Sequence, residues 1–294
     1  MPSLSWLRSR RVHARQQIVT RERQPSSENA GNVNERREDS EEQLHDRALL
    51  LYGRKRNEVL SLHEVQRYGS DNFADPDYVR LYGMTPAQWY ACGIRLLGRT
   101  VVECTRDPLA DRIGRDIAAA VTSLPLQTQY LVVDPFAGSC NTLYWILQHV
   151  PRSRGIAFEL DPQVYELTRR NIAGLNRTIE LRHGDCRSLL EPHDLPSDHA
   201  AIVFVAPPWG TALDEAAGLD LRRTEPPITE IIARIGETYQ NHPVLFAIQV
   251  YEKVNAQSMS ELKGKLDRST LKVYDLNAAG RNHGILLGTR GWEP

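Results

Sequence analysis

The thirteen residues YLVVDPFAGSCNT, at positions 130–142, decide the fold of this chain. An apolar run of strand length, Tyr130–Val133, ends at Asp134, and a turn containing Gly138 separates it from a helical periodicity that starts near Leu143. Glycine lacks the Cβ that would keep a ligand away from the backbone, and backbone amides at a helix start attract anionic groups. The stretch therefore predicts a strand, a tight binding loop and a helix.

Three further apolar runs follow, and each ends in residues suited to binding. Gly155–Glu159 ends in a carboxylate about 20 residues past the loop glycine, where Rossmann-type domains bind a ribose. Thr178–Arg182 leads to Gly184-Asp185-Cys186, and Ala201–Val205 leads to Ala206-Pro207-Pro208-Trp209. Ligands of open parallel sheets lie at the carboxyl ends of the strands, so these four segments are expected to form one site.

The end of the chain is predicted to complete the sheet. Val244–Val250 is a fifth apolar run, and Leu271–Leu276 with Ile285–Thr289 is typical of a closing antiparallel pair, with Ala278-Ala279-Gly280 between them.

Together these motifs resemble those of the class I S-adenosylmethionine-dependent methyltransferases. Within that class, Gly138–Thr142 and Pro207-Pro208-Trp209-Gly210 look most like the trimethylguanosine synthases, which methylate the cap guanine of RNA. The resemblance covers residues 105–294. It implies a Rossmann-like α/β fold, a mostly parallel seven-stranded sheet with helices on both faces, and S-adenosylmethionine as the cofactor.

The resemblance also implies a role for each strand end. Glu159 is the candidate for the ribose, since a carboxylate accepts two hydrogen bonds from a vicinal diol. Asp134 would order the loop or meet the ammonium group of the cofactor, whose carboxylate would lie on the amides near Gly138. Asp185 would accept from the adenine amine while the Cys186 amide donates to the ring. The remaining cofactor-binding candidates are Thr105, Phe136, Ala137, Asn141 and Thr142.

The turn of Ala206, Pro207, Pro208 and Trp209 is the candidate catalytic segment. Two prolines fix the backbone and remove two donors, so carbonyl groups face the site, and Trp209 offers a flat face to a planar amine. In related amino-methyltransferases the residue before the prolines carries a side-chain acceptor. Here it is Ala206, which leaves only a backbone carbonyl to orient the nucleophile.

The N-terminal part differs from the rest of the chain. Residues 1–40 are rich in arginine and polar residues, which predicts a disordered tail; an organellar transit peptide or an RNA-contacting arm is the alternative. Residues 41–104 are expected to form a helical extension, with helices over 41–68, from Pro76 to about Tyr82 and from Pro86 to about Leu97. Its aromatic residues either fill a core or form a substrate lid.

Composition excludes some classes of protein. A net charge of −1, a pI of about 6.8 and a mean hydropathy of −0.45 argue against a globally basic nucleic-acid binder. No membrane span is expected, because no apolar run is long enough. The spacing of cysteines and histidines predicts neither disulfides nor a metal site, which indicates an intracellular protein, cytoplasmic or nuclear unless the tail directs import.

Three functions remain open at this point. The first is an RNA guanine N-methyltransferase, in which arginines at 152, 154, 222 and 223 contact phosphates. The second is a small-molecule enzyme, either an N-methyltransferase or a cyclase that forms azetidine-2-carboxylate from the cofactor. The third is an inactive module that serves as a binding partner. The oligomeric state is not indicated.

Overall fold

The computed structural model describes residues 47–122, 128–175, 178–214, 216–275 and 283–292. Its strands are β1 (Gln129–Asp134), β2 (Ser153–Glu159), β3 (Ile179–His183), β4 (His199–Val205), β5 (Leu213–Asp214), β6 (Gly218–Leu219), β7 (Val244–Tyr251), β8 (Arg268–Tyr274) and β9 (His283–Arg290). Its helices are α1 (Arg47–Leu51), α2 (Leu62–Phe73), α3 (Pro86–Ala91), α4 (Gly98–Glu103), α5 (Asp107–Val121), α6 (Asn141–His149), α7 (Pro162–Ile172), α8 (Cys186–Leu189), α9 (Ile228–Thr238) and α10 (Ala256–Lys263).

Seven of these strands form one sheet in the order β3-β2-β1-β4-β7-β9-β8. The first five are parallel, and β9 runs antiparallel to both β7 and β8. The strand order reverses at β1, which pairs with β2 on one side and with β4 on the other. Open parallel sheets bind ligands at such a reversal, in the crevice beyond the carboxyl ends of the strands. The predicted Rossmann-like, mostly parallel seven-stranded sheet is confirmed.

Both faces of the central strands β1, β4 and β7 are buried, as parallel strands require. Along β1, Leu131 and Val133 pack in one apolar cluster with the isoleucines of α9, while Tyr130 and Val132 pack in a second with residues of α5 and α6. This alternation follows from the two-residue period of a strand. Helices therefore cover both faces, as the fold prediction requires.

Residues 47–104 pack around an apolar cluster of their own. Its members include Leu50, Val65, Tyr82 and Trp89, and Tyr144 of α6 packs against it. Trp89 is only 1% exposed and donates from Nε1 to the carbonyl of Val79 at 2.9 Å. Trp89 and Tyr82 therefore fill a core, which favours the packing interpretation of the aromatic residues.

Helix bounds in this region differ from the prediction. The expected helix over 41–68 is interrupted, because α1 ends at Leu51 and α2 starts only after the capping box of Ser61. The helix expected from Pro76 to Tyr82 was wrong: Asp75 instead accepts the amide of Asp77 in a turn at 2.8 Å. The following helix ends at Ala91 rather than near Leu97, and Gly93 with φ of +84° turns the chain.

Some predictions concern residues that the structure does not describe. The tail at residues 1–40, Leu276 and the segment Ala278-Ala279-Gly280 lie outside the described residues. The closing antiparallel pair is present as β8 and β9. In the described part of the chain, no helix combines the length and apolar character needed to cross a bilayer.

Candidate active site

Three strand ends meet at one edge of the sheet. Asp134, the last residue of β1, is level with Ala157 of β2, so Glu159 projects two residues further. Val133 is level with Val203 of β4, which puts Ala206 three residues beyond that pair. The loops after β1, β2 and β4 therefore begin at the same edge of the sheet, where ligands of open parallel sheets bind.

Glu159 holds the loop after β1 in shape. Its Oε2 accepts from the amide of Gly138 at 3.0 Å and its Oε1 accepts from the amide of Asp161 at 2.8 Å. Burial raises the pKa of Glu159, while the two amide hydrogen bonds act in the opposite direction. A carboxylate offers about four lone pairs, so two remain for a ligand hydroxyl pair.

Most backbone amides of the loop after β1 donate to groups of the protein itself, so they are not free for the expected binding of a ligand carboxylate. The Phe136 amide donates to Asp134 at 3.0 Å, the Ala137 amide to the Phe158 carbonyl at 2.9 Å, and the Gly138 amide to Glu159. The Gly138 amide would bind a ligand carboxylate only if Glu159 released it. At the start of α6 the N-cap residue Cys140 makes no side-chain cap hydrogen bond, and the Asn141 amide donates to the Ser139 hydroxyl at 3.3 Å. The next amides, of Thr142 and Leu143, are therefore the better candidates.

Asp134 is a buried acid with an unusual pKa. Its side chain is 2% exposed, and burial raises its pKa to about 7, with the nearby charge of Glu159 acting in the same direction. The hydrogen bond from the Phe136 amide opposes this rise. Near neutral pH both protonation states of Asp134 are therefore populated.

Asn141 and Thr142 begin α6, and both are buried. Asn141 accepts the amide of Tyr82 on Oδ1 at 2.7 Å and donates from Nδ2 to the carbonyl of Thr105 at 2.8 Å. The hydroxyl of Tyr82, whose φ is +55°, donates to the carbonyl of Ser139. Asn141 thus ties the loop to the N-terminal extension, and its side chain is already used. Thr142 is 5% exposed at the second helical position.

A second contact with the extension lies beside Glu159. Arg99 of α4 approaches Asp161 at 2.6 Å between Nη2 and Oδ1, and Asp161 also caps α7 by accepting the amides of Gln163 and Val164. Asp161 is therefore the capping acid, as expected. Arg99 is 8% exposed, and its charge opposes the rise in the pKa of Glu159.

The adenine candidates follow β3. Asp185 caps α8 and is also held by Arg187, whose Nη2 lies 2.6 Å from Oδ2; the hydrogen bond from this side chain lowers the pKa of Asp185. Burial raises the pKa of the Cys186 thiol to about 12, so the thiol stays neutral. The Asp185 carboxylate therefore already has Arg187 as a partner, and a ligand amine would be a further donor to it.

The Pro207-Pro208-Trp209 turn faces residues from the far end of the chain. The ring of Trp209 stacks on His283, with centroids 5.3 Å apart and planes 26° apart, and meets Tyr251 edge-on at 6.1 Å. His283 begins β9 and Tyr251 ends β7, where the two are register partners. These two rings therefore complete the wall that Trp209 begins.

A chain of hydrogen bonds links this wall to Thr105. The Thr105 hydroxyl donates to Oε1 of Gln249 at 3.1 Å, and Nε2 of Gln249 lies 3.3 Å from Nδ1 of His283. Gln249 is 7% exposed in β7, whose neighbouring residues are apolar and buried. Thr105 and Trp209, predicted for separate roles, are brought together by two residues that the prediction did not include.

Three residues at this edge were missed by sequence reasoning. Leu160 is 68% exposed directly after Glu159, and an apolar residue after a strand-ending acid was the available signal. Gln249 was signalled by its polar side chain within an apolar run. His283 had no local signal, because its position depends on the antiparallel return of β9.

The arginines proposed for phosphate contacts are dispersed. Arg152 precedes β2 and Arg154 is its second residue, so at the rise of a strand they lie about 23 Å and about 17 Å from Glu159, toward the opposite end of the strand. Arg222 is paired with Asp220 at 2.8 Å and lies 3.5 Å from Glu261. Arg152 and Arg154 are therefore remote from Glu159, and the charge of Arg222 is balanced by acidic partners.

Comparisons with known proteins give structural likeness only. No protein-family model and no curated protein sequence matches the chain. The methyltransferase domain of METTL16 is similar with a TM-score of 0.47 at 12% identity, over 83% of this chain and 91% of that domain. The N-terminal domain of human METTL16, solved in complex with SAH, is similar with a TM-score of 0.43 at 13% identity, over 63% of this chain and 72% of that one.

A third structure is of bacterial origin. Precorrin-6y C5,15-methyltransferase from Geobacter metallireducens is similar with a TM-score of 0.39 at 14% identity, over 65% of this chain and 91% of that one. The fold of this chain is therefore established by its own strand order and register and not by these similarities.

Proposed function

We propose that this chain is an S-adenosylmethionine-dependent methyltransferase that transfers a methyl group to an amine nitrogen, with the exocyclic amine of guanine in capped RNA as the first acceptor to test. The observation that carries the proposal is the position of Glu159. It is a half-buried carboxylate at the end of β2, hydrogen-bonded to Gly138 at the switch point of a mostly parallel sheet.

The residues present fit this cofactor. Two lone pairs of Glu159 remain for a ribose diol, and the 68% exposed side chain of Leu160 provides an apolar surface beside it for a purine. A Cβ added to Gly138 would meet nothing nearer than the Phe136 carbonyl at 4.0 Å, so the loop opens toward space there. Asp134, with a pKa of about 7, would ionise fully beside an ammonium group.

When bound, S-adenosylmethionine supplies an electrophilic methyl group on a sulfonium centre. The residues of the chain then need to bind, align and exclude water rather than to form a covalent intermediate. The Ala206 carbonyl would accept from the attacking amine, since Pro207 and Pro208 fix the backbone and provide no donor. Trp209 would hold a planar acceptor by its face.

Capped RNA is the first acceptor because the Pro-Pro-Trp-Gly turn and Asn141-Thr142 resemble the cap guanine enzymes. In this proposal residues 105–294 form the catalytic domain and residues 41–104 an extension that shapes the cofactor loop. Asn141 accepts the amide of Tyr82, which belongs to the extension, and donates to the carbonyl of Thr105, which begins the catalytic domain. These two hydrogen bonds support the roles proposed for the two segments.

A small-molecule reaction is the second candidate. Two observations favour it: Ala206 lacks a side-chain acceptor, and of the arginines considered for phosphate binding, Arg154 lies far from Glu159 along β2 and Arg222 is paired with Asp220. In this case the nucleophile is a small amine or the amino group of the cofactor itself, whose cyclisation would give azetidine-2-carboxylate.

One assay separates these functions. Purified protein is incubated with S-adenosylmethionine, with and without capped RNA, and the products are resolved by mass. S-adenosylhomocysteine that forms only with RNA supports methylation of nucleic acid, whereas methylthioadenosine without any acceptor supports the cyclase. If calorimetry detects no binding of S-adenosylhomocysteine, the enzymatic proposal is wrong and an inactive binding module remains.

A further inference from the structure

Gln249 is a polar residue at a buried position of the sheet, where apolar residues are usual. It belongs to β7, in which every residue from Val244 to Val250 is buried. Burial of an amide side chain without partners costs about 1–3 kcal/mol by mutational data. Thr105 and His283 satisfy it, one at each end of the amide. The site thus maintains a fixed, buried amide at the edge of the crevice.

The strand register puts Gln249 next to Ala206. Val205 of β4 is paired in parallel with Ile248 of β7, so the next residue of each strand is Ala206 and Gln249. Neighbouring strands lie about 4.8 Å apart, and register partners point to the same face. Val205 and Ile248 both pack in the cluster under α9, while Ala206 packs against the cluster on the opposite face.

Thr105 lies on that same face. It lies two residues before α5, whose residues Leu109 and Ile113 pack in the cluster that Ala206 packs against. The hydroxyl of Thr105 donates to Oε1 of Gln249, which fixes the oxygen end of the amide on the side of the crevice where Thr105 lies. An amide oxygen has two lone pairs, so Oε1 is able to accept a second hydrogen bond.

We infer that Gln249 supplies, from the neighbouring strand, the side-chain acceptor that Ala206 lacks: its Oε1 accepts a hydrogen bond from the nucleophilic amine and aligns it with the sulfonium-bound carbon. The N–C bond forms as the S–C bond breaks, S-adenosylhomocysteine leaves after methyl transfer or methylthioadenosine after cyclisation, and the proton of the alkylated nitrogen passes to solvent. The inference rests on the proposed function and holds for either candidate reaction, because the nucleophile is an amine in both. His283 acts as a positioning residue, since its Nδ1 holds the nitrogen end of the amide.

The test uses the full chain and three variants of Gln249 and Ala206. Q249M keeps the length of the side chain and removes the oxygen. It is expected to lower kcat for S-adenosylhomocysteine or methylthioadenosine formation, whichever product the wild type forms, by about 10- to 100-fold, since misalignment of the nucleophile has effects of that size. Its Kd for S-adenosylhomocysteine by calorimetry should stay within about threefold of the wild type, because the cofactor contacts remain.

Rescue distinguishes alignment from simple loss of structure. A206N or A206S in the Q249M background returns an acceptor to the neighbouring position and is expected to recover kcat at least about fivefold. If Q249M does not fold, as judged by thermal melting, Q249N carries the same test, because it keeps a polar amide but withdraws the oxygen by one methylene.

Each outcome separates the two proposals. If the wild type binds no S-adenosylhomocysteine and forms neither product with capped RNA, with small amines or with cofactor alone, the proposed function fails and this inference with it. If the wild type is active and Q249M matches its kcat, or if neither Ala206 variant recovers any activity, the role of Gln249 is wrong while the function stands. A loss of cofactor affinity equal to the loss of turnover would also overturn it.

Discussion

The side chain of Asn141 accepts the backbone amide of Tyr82 at 2.7 Å across 59 positions of sequence. Its amide nitrogen donates to the carbonyl of Thr105 at 2.8 Å, and the residue is 1% exposed. One side chain thus joins the cofactor loop, the N-terminal extension and the segment before α5. The loop and the extension should consequently lose stability together.

Replacement of Asn141 by alanine is expected to lower the free energy of unfolding by about 1–3 kcal/mol, because it leaves a buried donor and a buried acceptor without partners. Urea denaturation followed by circular dichroism measures the change. Asn57→Ala, at an exposed position, is the control and should stay within about 0.5 kcal/mol of the wild type. Equal stability of both variants would show that Asn141 does not join these segments.

The pKa of Asp134 predicts a pH-dependent stability. Its folded-state pKa is about 7, against about 3.9 for an unfolded chain, so below pH 4 both states are protonated. As pH rises from 4 to 7 the unfolded state ionises first, and the free energy of unfolding falls by up to about 4 kcal/mol. Asp134→Asn removes this loss, so its stability relative to the wild type should increase from pH 5 to pH 7.5.

Urea denaturation at several pH values tests this expectation. Asp198→Asn is the control, since Asp198 is exposed and the hydrogen bond from His199 lowers its pKa; this variant should gain no stability as pH rises. A constant difference between Asp134→Asn and the wild type across the range would contradict the raised pKa.

Glu159→Gln should weaken binding of S-adenosylhomocysteine by about 10- to 100-fold, since hydrogen bonds to a charged group contribute about 1.5–3 kcal/mol. The substitution also turns an amide NH₂ toward the donors of Gly138 or Asp161. Calorimetry measures the affinity. Glu166→Gln, an exposed carboxylate paired with Arg169 and Arg170, is the matched control and should bind as the wild type does.

Trp209→Ala should raise the KM for a planar acceptor at least about tenfold, because stacking on an aromatic side chain contributes about 1–3 kcal/mol per base. Trp209→Phe retains a flat face and should show a smaller change. Steady-state turnover with capped RNA measures both variants. Full turnover by Trp209→Ala with cofactor binding intact would remove the stacking role, and the contact with His283 would then be structural only.

The strands and their ends could be read from the amino-acid sequence. Buried parallel strands are nearly continuous apolar runs, so Tyr130–Val133 and Ala201–Val205 are visible locally, as are the polar residues that follow them. The position of Asp134 and Glu159 at one edge follows from the rule that parallel strands share a carboxyl end. Asp161 was identifiable as a helix cap because proline follows it.

Tertiary structure decided what those residues are bonded to. The expected helix from Pro76 to Tyr82 is absent, and Tyr82 has a left-handed conformation and is held by Asn141 and Ser139, which are remote in sequence. The Gly138 amide is used by Glu159, and Asp185 is held by Arg187.

The placement of Gln249 beside Ala206 and of His283 against Trp209 depends on strand register and on the antiparallel return of β9. Local periodicity reports which face of an element is buried. It contains no information about pairing partners, because these are selected by the packing of the whole sheet.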